Sequence, residues 1–404
     1  MMRCVFVTGD CNFLFRHFSP AIKAARAAGM EVIAIAPNDE GDSFDKATGV
    51  RIIASPTNRS NNSVWSLIGE IVWLYEKLQQ LEPAVVVSYS SRMCFVAAIV
   101  QRFLRSCRYV FVVTGLGYFG VSKSFGVRLA RQAIFGVLRW SPRKQSFFIF
   151  ENTSDPVSTG IGRRQRHIRL MGAGVDPNEF LPTDPPEGPP FRFATVSRLV
   201  WSKGIDLAVE AVSELAEEGF PVEFHIYGAP DQGNPRPVSP GNFGGAPCIC
   251  YHGFSQQVAD VWQGYYAAIF PSRGGEGLPR AMLEAAASGR SCITTAVPGC
   301  QDFIRDGVDG YVVPSESVSA LKDAIVKLIA SPEQSSAFGR HGRERVVKNS
   351  TVKIIQTKYE EIFSVLLEEM RNAAPDSVRT RRQNRLAYEG NGQVLTGRDR
   401  IDET

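Results

Sequence analysis

Short apolar runs rich in β-branched residues alternate along this chain with longer stretches whose apolar positions recur every three or four residues. The first kind reads as buried strands and the second as amphipathic helices. In the first half, strands are predicted at Arg3–Thr8, Glu31–Ala36, Ala84–Ser88, Tyr109–Val113 and Phe147–Glu151. Helices are predicted over 17–28, 64–81, 93–105 and 126–139. Gly29 stands at the exit of the first helix, where a left-handed residue closes the last turn. The second half repeats the pattern, with strands over 192–197, 222–227, 249–252, 267–270 and 291–295 and a further one at Tyr311–Val313. Its helices fall over 204–218, 255–263, 278–288, 317–330, 333–347 and 351–371. This alternation predicts an α/β protein built on parallel, doubly wound sheets.

The pattern breaks at Leu181–Pro190, where five of ten residues are proline. Such a run suits neither helix nor central strand. It divides the 404 residues into a first domain (1–180), a linker (181–190) and a second domain (191–350), each large enough for its own core. Residues 351–371 read as a final helix. Residues 228–247 are rich in Pro and Gly and read as a loop. Residues 372–404 are polar and poor in core residues, so they read as a disordered tail.

Charge adds an asymmetry that the net value of +4 hides. Residues 1–180 hold 22 Lys and Arg against 13 Asp and Glu, a net of +9, and the remainder carries −5. No acidic residue lies between Glu82 and Glu151, a span holding Arg92, Arg102, Arg105, Arg108, Lys123, Arg128, Arg131, Arg139, Arg143 and Lys144. Phe103, Phe125, Leu129, Phe135, Leu138 and Trp140 are interleaved with them. Basic charge mixed with bulky apolar residues suits an anionic membrane surface. No nucleic-acid motif accompanies it, so a nucleic-acid partner is not expected. No run of 18 apolar residues and no leader pattern is present, which points to a cytoplasmic protein at most peripheral to a membrane. The eight cysteines are scattered, none forms C-x-x-C, and Cys248-Ile249-Cys250 before His252 reads as strand, not zinc site. The five histidines are dispersed along the chain.

The chemistry concentrates after the strand that ends in Phe270-Pro271-Ser272. There Glu276-Gly277-Leu278-Pro279-Arg280-Ala281-Met282-Leu283-Glu284 places two carboxylates around a helix start. Pro279 suits a first helical position. The N–H groups of Gly277, Leu278 and Arg280 then face outward as an anion site. Helical side chains lean toward the N-terminus, so Glu284 reaches the same pocket as Glu276. Carboxylates beside an anion site accept hydrogen bonds from hydroxyls, and phosphate plus hydroxyls describes a sugar nucleotide. Arg198 and Lys203, in Ser197-Arg198-Leu199-Val200-Trp201-Ser202-Lys203-Gly204, follow the first strand of the second domain. They can clamp a diphosphate there, at the carboxyl end of the sheet.

On the first domain, Gly9 follows the first strand and allows close backbone approach to a ligand. Asp10 and His17 are candidate acceptor-side groups near the first helix. Thr114-Gly115-Leu116-Gly117-Tyr118-Phe119-Gly120 places three glycines at another strand end, with Thr114, Gly115 and Gly117 as candidate cleft residues. There is no D-x-D, G-x-S-x-G, Walker A or kinase set. A site of this composition is expected to work without metal or cofactor.

With these residues in place, the chain resembles retaining glycosyltransferase family 4 over roughly residues 1–370. Glu276 to Glu284 matches that family's E-x7-E motif. Ser197 to Gly204 resembles its donor-phosphate loop, and Pro298-Gly299-Cys300-Gln301-Asp302 and Asp306 to Pro314 its second-domain signature. Gly172-Ala173-Gly174-Val175-Asp176 resembles the end of its first domain. Val113 to Tyr118, and Pro230-Asp231 with Asn234-Pro235, are similar to members that build capsule, exopolysaccharide and O-antigen repeat units. The resemblance implies the GT-B fold, two Rossmann-like domains facing a cleft, with residues 351–371 crossing back to the first. It implies transfer from a UDP-sugar to an undecaprenyl-diphosphate-linked saccharide at the cytoplasmic face of the membrane. Glu276 would then contact donor hydroxyls and Glu284 the ribose. Arg198 and Lys203 would hold the diphosphate, helped by the amides of Gly277 and Leu278. Two departures stand out. The family's cleft histidine has no counterpart at Thr114–Gly117, and Arg273-Gly274-Gly275 gives a more flexible approach to Glu276. A UDP-sugar epimerase would share the donor clamp but needs acid/base carboxylates in the first domain, where only Asp10 offers itself. A non-catalytic sugar-nucleotide binder would need none of the catalytic set.

Overall fold

The computed structural model describes residues 1–37, 41, 43–45, 48–56 and 63–373. Residues up to Glu360 form one compact unit. Of the second unit, from Glu361 on, residues 361–373 are described and continue the last helix, Val352–Ala373. The tail expected over 372–404 lies outside the described residues from 374 onward.

The first half builds an eight-stranded sheet from β1 (Met2–Val7), β2 (Met30–Ala36), β3 (Ser43–Asp45), β4 (Val50–Ala54), β5 (Val85–Tyr89), β6 (Arg108–Val113), β7 (Ser146–Phe150) and β8 (His167–Arg169). Their spatial order is β3-β4-β2-β1-β5-β6-β7-β8, parallel throughout except where β3 turns back on β4. The second half builds an all-parallel sheet from β9 (Phe191–Val196), β10 (Val222–Tyr227), β11 (Ile249–Gly253), β12 (Ala267–Phe270), β13 (Ser291–Thr295) and β14 (Gly310–Val313), in the order β11-β10-β9-β12-β13-β14. Both sheets are covered by helices, so their strands are apolar on both faces. Val85, Val86 and Val87 are all buried, and Phe111 stacks on Phe148 across β6 and β7 at 4.9 Å.

In each sheet the strand order reverses at the first strand. β1 lies between β2 and β5, and β9 lies between β10 and β12. Ligands of open α/β sheets sit at such reversals, beyond the carboxyl ends of the strands. The loops after β1, β9 and β12 carry Gly9, Arg198 and Lys203, and Glu276.

Helix Cys11–Ala27 begins six residues earlier than the apolar periodicity predicts. Asp10 is its N-cap and accepts from the Phe13 N–H at 3.0 Å. Phe18 leaves helical geometry (φ −123°, ψ 22°) two residues before Pro20, which lacks the N–H that a continuous ladder needs. That kink hid the first turns from a periodicity reading. β3, β4 and β8 were also not predicted. Three residues each in β3 and β8 give too little pattern, although Val-Arg-Ile-Ile-Ala of β4 alternates around an exposed Arg51.

Residues 181–190 are irregular and largely exposed. The buried Arg290 anchors them, donating from Nη2 to the Thr183 carbonyl at 2.8 Å. Just before them, Val175 and Phe180 already pack in the core of the second half, with Ala194, Trp262 and Met282. The chain also returns here. Val175 N–H donates to Ser350 O at 2.9 Å, and Val352 N–H to Val175 O at 3.1 Å.

Candidate functional site

One cleft of about 1030 Å³ opens between the carboxyl ends of the two sheets. It gathers Gly9, His17, Arg198, Lys203, Glu276 and Glu284, residues spread over 276 positions of chain. The cations on the second half's side of the cleft are each set against a carboxylate. Lys203 Nζ lies 2.7 Å from Glu276 Oε1, which also accepts from the Ser272 hydroxyl at 3.1 Å. Arg198 Nη1 lies 2.5 Å from Asp231 Oδ2. Arg280 Nε lies 2.8 Å from Glu284 Oε1, one helical turn on. Burial pushes the Glu284 carboxyl up, and the Arg280 guanidinium pulls it back down. Three arginine or lysine heads and three acids therefore share one concave surface, the charge pattern that binds an anion and hydroxyls side by side.

Local sequence explains how these groups are aimed. Gly204 adopts φ +66°, and a Cβ there would lie 2.0 Å from the Pro271 carbonyl. Only glycine lets the β9 and β12 loops approach this closely. That approach brings Lys203 to Glu276. The helix expected to start with Pro279 in its first turn spans Arg280–Ala287, with Pro279 as the extended N-cap residue. The anion site is correspondingly altered. The Leu278 N–H, expected to face the cleft, is directed at Glu151 Oε2 at 3.2 Å.

The first-half candidates are redistributed. Gly9 lines the cleft with nothing within 4 Å of an added Cβ, so it leaves room. Asp10 lines the cleft and also caps the first helix, accepting from the Phe13 N–H. His17 becomes more informative than in sequence. Desolvation and the surrounding charges of Arg280, Arg198, Arg16 and Lys203 pull its pKa down to about 3, so the ring is neutral. Phe13 supports it at 4.5 Å. Gly115 and Gly117 line the cleft but do more than flank it. A Cβ at Gly115 would fall 2.3 Å from the Gly277 nitrogen, and Gly117 N–H donates to Gly275 O at 2.8 Å. The Thr114–Gly117 turn thus packs backbone to backbone on the loop that carries Glu276.

Arg273 is not the flexible approach that its glycine neighbours suggested. It makes two bonds to Asp206, at 2.7 and 2.6 Å, donates to Trp201 O at 2.9 Å and lies over the Trp201 ring at 4.8 Å. Arg236 covers the same indole at 3.7 Å. The histidines are not all dispersed either. His225 and His252, on neighbouring strands, meet at 2.8 Å, with Glu223 at 3.2 Å from His225. Among the described residues no group of three or more His, Cys, Asp or Glu is arranged to hold a metal. No disulfide joins any of the eight cysteines.

The acid-free stretch resolves into two parts. Arg92 is drawn inward to Glu70 at 3.1 Å, from outside the stretch, so it does not belong to a free basic face. Helix Phe125–Arg139 does expose Lys123, Arg128, Phe125 and Leu129 along its outer side and at its start. Phe103 is also exposed and touches Tyr75 edge-on at 6.4 Å, which leads to a second outward apolar stripe, Val64, Trp65, Ile68 and Val72, on helix Val64–Leu81. No helix among the described residues is long and apolar enough to cross a membrane.

Sequence reasoning missed Glu151, Asn152 and Arg16. Glu151 stands one residue past an apolar strand, a weak local signal, and its partner Leu278 and the Glu276 carbonyl held by Asn152 lie more than 120 residues away.

Known proteins share the fold of both halves. Residues 190–331 match the family described as glycosyl transferases group 1. A curated relative, the N,N'-diacetylbacillosaminyl-diphospho-undecaprenol alpha-1,3-N-acetylgalactosaminyltransferase of Campylobacter jejuni, is 22% identical over 342 residues, which are 81% of this chain and 89% of that protein. The putative colanic acid biosynthesis glycosyltransferase WcaL of Escherichia coli is 24% identical over 56% of this chain and 60% of its own length. Among solved structures, sucrose-phosphate synthase from Thermosynechococcus elongatus superposes with a TM-score of 0.73 at 17% identity, over 91% of this chain and 99% of that one. HepE from Anabaena, determined with UDP and glucose, gives 0.69 at 13% identity, over 90% and 100%.

Proposed function

We propose that the cleft transfers a sugar, with retention of configuration, from a UDP-sugar to a lipid-diphosphate-linked saccharide during surface-polysaccharide assembly; the match of residues 190–331 to glycosyl transferases group 1 and the fold shared with solved structures such as sucrose-phosphate synthase support this reading. The observation that carries this reading is the set of paired charges at the ends of β9 and β12: Lys203 with Glu276, Arg198 with Asp231, and Arg280 with Glu284. An incoming diphosphate takes over Arg198 and Lys203, releasing carboxylates that accept hydroxyl hydrogen bonds. Glu276 receives the donor sugar, Glu284 the ribose, and the Gly277 amide assists the phosphate. By their own names, one relative is a diphospho-undecaprenol N-acetylgalactosaminyltransferase and the other a putative colanic acid biosynthesis glycosyltransferase, and HepE was determined with UDP; these support the choice of donor and acceptor.

In this reading the acceptor enters beside Gly9, His17, Thr114 and Gly117. Its hydroxyl attacks on the face from which the diphosphate leaves, and the leaving phosphate takes the proton. Catalysis then rests on positioning and on cations already aimed at the developing charge, without metal or cofactor. His17 is neutral, so one ring nitrogen is an acceptor at neutral pH. It is the candidate to orient the acceptor hydroxyl. The test is a panel of UDP- and GDP-sugars with a lipid-diphosphate acceptor, read by acceptor-dependent release of the nucleoside diphosphate.

A lipid-borne acceptor needs an enzyme at the membrane. We place the cytoplasmic face of the membrane against Phe125, Leu129, Phe103 and Trp65, with Lys123 and Arg128 supplying charge. Each such cation contributes about 1 kcal/mol at an anionic surface. The protein is expected to co-sediment with phosphatidylglycerol vesicles at low salt and to be released as the screening length shortens below about 10 Å near 0.1 M. Phe125→Glu should reduce the bound fraction strongly. Binding that ignores both salt and this substitution contradicts the placement.

A further inference from the structure

Where β7 ends, two consecutive residues of the first half cross to the donor loop of the second. Glu151 Oε2 accepts the Leu278 N–H at 3.2 Å. Asn152 Nδ2 donates to the Glu276 carbonyl at 2.9 Å and to Asp155 Oδ2 at 2.9 Å. The amide orientation follows from its other end, since Oδ1 faces the N–H groups of Ser154 at 3.0 Å and Asp155 at 2.7 Å. The pair therefore brackets Gly277, holding the carbonyl before it and the N–H after it. A Cβ on Gly277 would fall 2.1 Å from Glu151 Oε2 and 2.7 Å from the Thr114 carbonyl. Glycine is what lets the clasp close.

We propose that Glu151 and Asn152 are positioning residues for the donor site: by fixing the peptide units on both sides of Gly277 they aim the Glu276 carboxylate at Lys203 and into the cleft. This rests on the reading that the Glu276 loop receives the nucleotide-sugar. It makes the first half a structural part of the donor site, not only the acceptor's side.

Protonation sets the charge at the clasp. Burial pushes the Glu151 carboxyl from its ordinary 4.5 up to about 8; the Leu278 N–H opposes the shift, and Glu276 and Asp155 add to it. The other titratable group facing it is Tyr359, on the final helix. At neutral pH Glu151 is thus a neutral acid. Ionisation above pH 8 places a buried negative charge against Glu276, with no cation of the described residues among the groups that act on it. The linkage has a definite sign. The folded protein holds a proton that the unfolded chain has released, so this group's contribution to stability falls as pH rises from 4.5 to about 8.

The test uses UDP as probe, by calorimetry on the full chain between pH 7 and 9, with wild type, E151Q, E151A and N152D. N152D keeps the acceptor side of residue 152 but turns a carboxylate oxygen toward the Glu276 and Asp155 oxygens. It and E151A should raise the UDP Kd about tenfold, equivalent to about 1.4 kcal/mol. Wild-type affinity should weaken above pH 8. E151Q, neutral at every pH, should restore what E151A loses and flatten that alkaline limb, and it alone decides the matter should E151A fail to fold. Wild-type affinity in N152D and E151A, or an unchanged alkaline limb in E151Q, overturns the proposal while leaving the donor reading intact. If wild type binds neither UDP nor GDP, the donor reading itself falls and takes the proposal with it.

Discussion

Lys203→Ala should lower turnover by about two orders of magnitude, the typical effect of deleting one preorganised donor to a developing charge. Arg198→Ala should do the same, for partly different reasons. Lys203 is mostly enclosed, at 19% exposure, and faces a Glu276 side chain at 15%. Its removal subtracts a phosphate contact and leaves Glu276 with the Ser272 hydroxyl as its remaining side-chain partner in that bond set. That carboxylate then loses the cation that fixes its direction, which degrades its acceptance of sugar hydroxyls. Arg198 is 60% exposed, so its pair with Asp231 is weak and readily exchanged for a diphosphate. R198A should therefore act mainly on the transition state and K203A on both donor binding and turnover. Steady-state kinetics with the working UDP-sugar separate the two, and near-normal kcat in either variant removes that residue from the donor site.

Gly115→Ala should be nearly as damaging, although residue 115 carries no chemistry. Its φ of +97° is a region that side chains rarely adopt, and the added carbon would meet Gly277 N at 2.3 Å, Glu276 C at 2.5 Å and Gly275 O at 2.5 Å. All three are backbone atoms, so no rotamer change relieves the overlap. Left-handed strain and overpacking together cost roughly 2–5 kcal/mol. The structure relieves this by moving the Thr114–Gly117 turn away from the donor loop, and that movement also breaks the Gly117 to Gly275 bond. Turnover should fall at least tenfold, by the scale on which a misplacement of about 1 Å costs up to a hundredfold. Gly245→Ala, outside the cleft lining, is the natural control, since nothing lies within 4 Å of its Cβ. Unimpaired kinetics in G115A would show that the contact between the two loops is dispensable.

The sequence made the scaffold legible because its strands are short, apolar and bounded. β10, β12 and β13 fall where the apolar runs place them, and so does helix Val64–Leu81. The Glu276–Glu284 motif was legible for a related reason. Strand, turn, Glu276 and Glu284 are contiguous, so local geometry alone brings the two acids to one helix start. Pro279 was misplaced by one residue, since a proline serves as well in the extended cap as in the first turn. What stayed hidden depends on contacts distant in sequence. Glu151 and Leu278 are 127 residues apart and Asn152 and Glu276 124, and no periodicity marks either pair. Gly115 and Gly117 were visible as glycines at a strand end, but what they pack against was not. Arg92 illustrates the opposite failure: a basic run in sequence suggested one continuous surface, while Glu70 from the preceding helix draws this residue inward.

The decisive measurement is the product of the purified full chain given the responsive UDP-sugar and an undecaprenyl-diphosphate-linked saccharide, analysed by mass and by NMR of the new anomeric centre, with and without EDTA. The proposed mechanism predicts one sugar added per UDP released, a glycosidic bond of the same configuration as the donor's, and no loss of rate in the chelator. An inverted linkage, an altered UDP-sugar formed without acceptor, or a rate abolished by EDTA would contradict it.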